Sequence, residues 1–162
     1  MAVAEELTGI PSFETPDYSE ALAQEKALVA SMKKVFLMVA GHAVQTFGPE
    51  LEEHQQLLLA AADIMIATYM SESALLRAQK TLSQDPDKGQ AQAELVQLYI
   101  YNAVDQVQKK AKEAIISASS GDEQRMMLMG LKRFTKYNAY PNIVSLRERI
   151  AERVIAANTY PF

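Results

Sequence analysis

Residues 49–82, PELEEHQQLLLAAADIMIATYMSESALLRAQKTL, repeat apolar side chains at helical spacing along their whole length. Proline favours the first turn of a helix, and the preceding Gly48 suits the end of an earlier one, so we predict one helix from about Pro49 to Leu82. Two apolar stripes lie side by side on it: Leu51, Leu58, Met65 and Tyr69 on one, and Leu57, Ala61, Ile64, Thr68 and Leu75 on the other. So wide an apolar face indicates a helix with neighbours on more than one side.

The segments before and after this helix show the same spacing of apolar residues. The preceding helix begins at Asp17 or Ser19, either of which can serve as N-cap, and ends near Phe47. Later helices are predicted from Gly89 to Ser119, from Asp122 onward and from Asn142 onward, with breaks at Pro86, Gly121 and Pro141. Four or five antiparallel helices with short connections form an all-α bundle. We expect a single domain over residues 19–162, after an irregular lead-in at residues 1–18.

Gly41 lies inside the first predicted helix, where a glycine costs about 1 kcal/mol relative to alanine. Its neighbours Ala40 and Ala43 are also small. We therefore expect another helix to approach closely at this point.

The composition excludes several classes of protein. Cysteine is absent, which rules out disulfides and thiolate zinc sites. The acidic N-terminus lacks the basic region of a signal peptide. No uninterrupted apolar run approaches the roughly 20 residues that a membrane-spanning helix needs.

The net charge of −4 is unevenly distributed. Residues 1–105 carry 6 basic and 15 acidic side chains, whereas residues 106–162 carry 10 and 5. The basic half could offer a surface to anionic lipid, CoA phosphates or nucleic acid, or the two halves could pack together and neutralise each other. We favour neutralisation, and we expect no nucleic-acid partner because the basic residues lack the aromatic interleaving of single-strand binders.

Both histidines of the chain, His42 and His54, lie close to the predicted break at Gly48. A di-iron bundle needs Glu-x-x-His on two helices, but the residue three before His54 is Leu51. The zinc-protease pattern His-Glu-x-x-His is also absent. We interpret the stretch as a corner between two helices, with each histidine structural or exposed.

Two carboxylates interrupt apolar segments, Asp63 and Asp105. A buried carboxylate normally has a partner, so each could be a general base or the member of a salt bridge. We favour a salt bridge or hydrogen bond from Asp63 to a neighbouring helix, near Arg77 or on the basic C-terminal helices. The same interpretation applies to Asp105.

Two further clusters are interpreted as structural. Met126, Met127 and Met129, with Gly130 and Phe134, could form an adaptable binding surface but more commonly belong to a core. The charged residues of RERIAERV, residues 147–154, are expected to form surface ion pairs of a few tenths of a kcal/mol each.

Two stretches carry a resemblance to a known family. FLMVAGHAVQTFGPELEEHQQLLLAAADIMIATYMSESALLRAQK, residues 36–80, resembles the C-terminal extension of very-long-chain-type acyl-CoA dehydrogenases. The ending IAERVIAANTYPF, residues 150–162, is similar to that of bacterial members. The likeness extends over about residues 19–162.

The resemblance implies that the flavin-binding core, acyl pocket and catalytic glutamate of the parent lie upstream of this chain. It therefore implies no catalytic, cofactor-binding or metal-ligating residue here, with FAD bound by the parent enzyme of fatty-acid β-oxidation. The implied partner is the catalytic core, in a homo-oligomer. The implied location is the cytoplasm, with peripheral contact with the inner membrane as a further expectation. Met1 would then be the first residue of a fragment excised from a longer protein.

The alternative is a free-standing helical adaptor that binds a partner protein or a membrane surface through its apolar faces. The gene separates the two interpretations. An upstream flavoenzyme core in the same reading frame favours the accessory domain, and an isolated frame favours the adaptor.

Overall fold

A computed structural model describes residues 20–162. Within that range the chain forms five α-helices, one short 3-10 helix and no strand. The helices are α1 (Ala23–Phe47), α2 (Gln55–Gln84), α3 (Pro86–Ala118), α4 (Gly121–Phe134) and α5 (Ile143–Ala157), and the 3-10 helix is Gly48–Glu53. The predicted all-α bundle is confirmed, while the predicted lead-in at residues 1–18 lies outside the described residues.

The core lies where α1, α2 and α3 meet. Helix α3 contacts every other α-helix, and α2 and α3 form the most extensive pair. The least accessible side chains come from all three central helices: Met32, Val35, Ile64, Ser71, Ile100, Val104, Val107 and Ile115. In α3 the apolar residues at helical spacing are buried, and they are Val96, Ile100, Ala103, Val107, Ala111 and Ala114.

The connection between α2 and α3 is a single residue, Asp85. Its carboxylate accepts a hydrogen bond of 3.1 Å from the Lys88 backbone N–H, and Pro86 occupies the first helical position. The predicted turn around Pro86 is therefore the start of α3, three residues before the predicted start. The Asp85 carboxylate accepts a hydrogen bond from an N–H group of the first turn, and Pro86 has no N–H group that would need a partner. These two properties explain the early start.

Two other predicted starts differ from the structure. Asp17 and Ser19, the predicted caps of the first helix, lie outside the described residues, and α1 begins at Ala23 after a left-handed Leu22 (φ 65°). The conformation is costly for leucine, but the Leu22 side chain is buried in the core. Helix α2 begins at Gln55 and not at Pro49, because residues 48–53 form the tighter 3-10 helix and His54 leaves helical geometry.

The expectation of a helix packed closely against Gly41 is wrong within this chain. Gly41 is exposed, and a Cβ atom placed on it would meet nothing within 4 Å. The close approach occurs instead at Gly89, where a Cβ atom would lie 2.4 Å from the Leu82 Cα atom. The tight hairpin between α2 and α3 therefore requires that glycine.

Helix α5 is joined to α3 by charge. The Asn142 side chain caps α5 as predicted, accepting a hydrogen bond from the Ser145 N–H. Arg149 donates to Glu94 over 2.9 Å, and Arg153 binds the other carboxylate oxygen. The Glu94 side chain is only 9% exposed, so the arginine run does not form the purely exposed ion pairs that were predicted. Burial of Glu94 makes its two partners necessary.

Candidate docking surface

The side of α2 that points away from the bundle is apolar and exposed. We call it the outer face; its large side chains are 40–68% exposed, and they are Leu58, Leu59, Met65, Ile66, Tyr69, Met70 and Leu76. At 1.5 Å per residue the face is about 27 Å long. Leu57, Ile64 and Leu75, on the opposite side of the helix, are buried.

Between Leu57 and Met70, where Asp63 is the one charged residue, α2 thus carries apolar side chains on all sides but is covered on only one. A helix of this kind is normally buried all round. By length and composition the segments Ala23–Glu53 and Gln55–Gln84 could each cross a membrane, and only 39% and 33% of their most apolar windows are buried. Core helices of soluble proteins pass the same test. What the bundle leaves open is therefore a surface suited to a further partner.

Helix α1 extends the outer face. Leu37 and Val44 are 56% and 57% exposed, seven residues apart on the same side of α1. Leu37, Met65 and Tyr69 line a groove of about 330 Å³ between α1 and α2. A groove of this size between two apolar ridges can accept side chains of an approaching helix.

Ion pairs stand at both edges of the outer face. Lys33 on α1 binds Glu72 at 2.5 Å, and Lys110 on α3 binds Asp63 at 2.9 Å. The hydrogen bond from Lys110 to Asp63 raises the pKa of Lys110. The predicted bond from Asp63 to a neighbouring helix is observed, but its partner is on α3 and its carboxylate is 38% exposed, so it is not a buried acid. Each of these two pairs is electrically neutral, whereas Arg77 and Lys80, near the C-terminal end of the outer face, are exposed.

The two histidines lie near the corner where α1 ends and α2 begins. His42 Nε2 lies 3.0 Å from the Ala118 carbonyl oxygen, and its Nδ1 lies 3.4 Å from a Glu123 carboxylate oxygen, so it ties α1 to α3 and α4. His54 stacks on Phe47, with ring centroids 3.7 Å apart. Among residues 20–162, no three histidine, aspartate or glutamate side chains are grouped closely enough to hold a metal ion.

The methionine cluster divides between core and surface. Met127 is buried with Gly130 and Phe134, whereas Met126 and Met129 are exposed. The three methionines therefore do not form one binding surface, because successive helical positions point in different directions.

Asp105 is exposed and lies in a groove of about 580 Å³ between α3 and α4. Lys109, Lys112 and Lys132 line the same groove, so this part of the basic half faces solvent. Elsewhere the halves neutralise each other as predicted, through Asp63–Lys110 and the pairs of Glu94 with two C-terminal arginines.

Two buried acids, Glu94 and Glu25, were not singled out from the sequence. Glu25 in the first turn of α1 is 4% exposed, and its burial raises the pKa of the carboxyl group. The hydroxyl of Tyr137, also buried, has no hydrogen-bond partner among the described residues. Burial raises the pKa of Tyr137 far above its ordinary value, and the nearby charge of Glu25 makes a smaller contribution in the same direction. A glutamate in a first turn gives no sign of burial, since that position usually faces solvent.

Comparison with known proteins identifies the domain. Residues 31–133 match the profile of the acyl-CoA dehydrogenase C-terminal domain. A probable acyl-CoA dehydrogenase of Bacillus subtilis (strain 168) is 32% identical over 143 residues, which are 88% of this chain and 24% of that protein. The structure of the Bacillus anthracis acyl-CoA dehydrogenase complexed with FAD aligns with a TM-score of 0.91 at 32% identity, covering 98% of this chain and 27% of that one.

The chain thus spans about a quarter of the length of these relatives. Both the profile and the aligned structure cover helices of the described bundle, including the central α2 and α3. The chain belongs to the acyl-CoA dehydrogenase family, as its C-terminal helical domain.

Proposed function

We propose that this chain is the non-catalytic helical domain of a larger FAD-dependent acyl-CoA dehydrogenase of fatty-acid β-oxidation, and that it packs on the catalytic core of that enzyme. The observation that carries the proposal is the outer face of α2, whose large apolar side chains between Leu58 and Leu76 are open to solvent. Exposed apolar patches of more than a few hundred Å² usually mark interaction sites. Support of a dimer, and contact with the inner membrane from the cytoplasm, are further parts of the proposal and rest on the sequence resemblance.

The grooves among the described residues do not fit a flavin site. The groove beside Tyr99, Tyr160 and Phe162 has aromatic side chains, but its volume of about 260 Å³ is below the roughly 300–1,000 Å³ of sites that hold drug-sized ligands, and Arg77 is its one cation. The groove of about 580 Å³ between α3 and α4 is lined by three lysines, but by no aromatic side chain that could face a flavin ring. The apolar groove beside Tyr69 has a single lysine, and Glu72 occupies it. We therefore assign the flavin and the acyl-CoA to the remaining three quarters of the enzyme.

The test has two parts, the reading frame and the flavin. The open reading frame that encodes these residues is sequenced upstream. Its complete product and the 162-residue chain are then purified in parallel. We expect the complete product to be yellow and to reduce an electron acceptor with acyl-CoA. The 162-residue chain is expected to show no flavin absorbance and no turnover.

An isolated frame of 162 codons would refute the accessory-domain proposal and favour a free-standing adaptor. Stoichiometric flavin or turnover in the 162-residue chain would equally refute it, because the chemistry would then lie in this domain.

A further inference from the structure

We propose that a groove between α2, α3 and the residues that follow α5 binds a small aromatic carboxylate with a hydroxyl or amine group beside its carboxyl group. We call it the aromatic groove; the residues used in the argument are Arg77, Gln92, Tyr99, Tyr160 and Phe162, which all line it. The inference goes beyond the proposed function and does not depend on it. Its support comes from the walls and volume of the groove, the cation at Arg77 and the buried amide of Gln92.

The residues that follow α5 form one wall of the aromatic groove. Helix α5 is held on α3 by the pairing of Arg149 and Arg153 with Glu94. Beyond α5, Phe162 is only 8% exposed, and the Tyr160 ring meets it edge-on with ring centroids 5.5 Å apart. This wall is therefore positioned both by charge and by packing.

The volume of the aromatic groove, about 260 Å³, fits one ring with a short side chain. An apolar cavity of about 150 Å³ in an engineered protein binds benzene, which leaves roughly 110 Å³ of this groove for a few more atoms. A nucleotide or a long acyl chain exceeds that space. The groove therefore selects small ligands.

The exposed rings of the aromatic groove favour an aromatic ligand. Tyr99 on α3 is 41% exposed and Tyr160 is 75% exposed, so a ligand can cover part of both. Aromatic rings pair well in offset-stacked or edge-to-face arrangements. A ligand ring between these side chains would gain such contacts and would leave water at the same time.

Arg77 is the one charged residue that lines the aromatic groove. Within residues 20–162 its guanidinium group has no ion-pair partner, and the residue is exposed. The planar donors of a guanidinium group match the two oxygens of a carboxylate. A single cation balances a monoanion, whereas a phosphate group carries a charge of about −1.5 to −2. A monocarboxylate is therefore the better match.

The amide of Gln92 supplies the third feature. Its side chain is buried, and its Oε1 atom has no hydrogen-bond partner among the described residues. Buried acceptors in folded proteins nearly always have a donor. A hydroxyl or amine beside the carboxyl group of the ligand would provide one after rotation of the amide. An aromatic α-hydroxy acid or α-amino acid combines the three features.

Isothermal titration calorimetry with phenyllactate tests the site in the 162-residue chain and in the complete gene product. We expect one site with a Kd on the order of 0.1 mM, a reasonable strength for a ligand of about twelve non-hydrogen atoms. Phenylpropanoate, which lacks the hydroxyl group, should bind at least about threefold more weakly. Phenylethanol, which lacks the carboxylate, should bind at least about tenfold more weakly. No binding of phenyllactate at millimolar concentration would overturn the proposal.

Two variants that each remove one exposed positive charge locate the site. Arg77→Gln should weaken phenyllactate binding at least about tenfold. Lys112→Gln, in the larger groove between α3 and α4, is the matched control and should leave the Kd within about twofold. Circular dichroism checks that both variants are folded. Equal effects of the two substitutions would show general attraction of an anion and would overturn the site.

A labelling experiment tests the aromatic groove in the complete gene product. Ala74→Cys places a thiol on the groove wall, and Ile155→Cys places one on α5, where the side chain is 78% exposed. Maleimide labelling of each is followed by mass spectrometry of its tryptic peptide, so that upstream cysteines do not interfere. Phenyllactate at ten times its Kd should slow labelling of Ala74→Cys at least about fivefold and leave Ile155→Cys unchanged.

Labelling of Ala74→Cys that phenyllactate does not slow would overturn the site. A thiol at this position that is unreactive even without ligand would show that the rest of the enzyme covers the groove, and would also overturn it. A complete product without flavin would refute the proposed function, but protection of Ala74→Cys in that product would still support the site.

Discussion

Gly89 and Gly41 are both helical glycines, and their surroundings predict opposite effects of the same substitution to alanine. At Gly89 a Cβ atom would lie 2.4 Å from the Leu82 Cα atom and 2.5 Å from the Leu82 backbone nitrogen. The obstacle is backbone, so α2 and α3 must separate at the hairpin. Overpacking of this kind typically costs about 1–3 kcal/mol, which exceeds the helix-propensity gain of up to about 1 kcal/mol. We expect Gly89→Ala to lower the free energy of unfolding by about 1–2 kcal/mol.

Gly41→Ala serves as the matched control. Nothing lies within 4 Å of the position that its Cβ atom would take, so only the propensity gain remains. We expect it to raise the free energy of unfolding by about 0.5–1 kcal/mol. Urea unfolding followed by circular dichroism at 222 nm measures both variants with unchanged m-values, and thermal midpoints should move by roughly 2–4 °C per kcal/mol. A Gly89→Ala chain as stable as wild type would refute the close contact between α2 and α3.

Three further predictions concern single side chains. Glu25→Gln should flatten the pH dependence of stability. Because the pKa of Glu25 is raised in the folded state, wild type binds this proton more tightly when folded, and its free energy of unfolding should fall as pH rises from about 4.5 through the folded-state pKa. Urea titrations of wild type and variant at several pH values would detect the difference. Glu94→Gln should lower the free energy of unfolding by about 1–2 kcal/mol in the same assay, since Arg149 loses a carboxylate partner. An unchanged free energy of unfolding would contradict the role of this pair in holding α5. His42→Ala should lower the free energy of unfolding by about 1 kcal/mol, because the contact of His42 with the Ala118 carbonyl oxygen is lost. His54 is exposed, so His54→Ala should lower it by less. Equal losses of stability in thermal unfolding would count against a structural link through His42.

Local sequence signals fixed several features that the structure confirms. The end of α1 near Gly48 and the cap of α5 at Asn142 are decided by residues whose backbone or side-chain chemistry acts within a few positions. The buried stripe of α3 follows from the spacing of its alanines and valines, because polar residues occupy the other sides of that helix. Wherever apolar and polar positions alternate with a helical period, spacing alone identifies the buried side.

Helix α2 lacks that contrast. Leu57 and Leu58 are neighbours of the same type, but Leu57 is buried and Leu58 belongs to the outer face. Periodicity gives the angle of each side chain around the helix axis. Between Leu57 and Met70 nearly every angle is apolar, so periodicity cannot say which side meets α1 and α3. That choice depends on how three helices pack together, and so do the left-handed Leu22 and the burial of Glu25. The sequence by itself determined the helices and the family resemblance. Only the tertiary structure decided which side of α2 is left open, because the neighbouring helices determine which of its two apolar sides is covered.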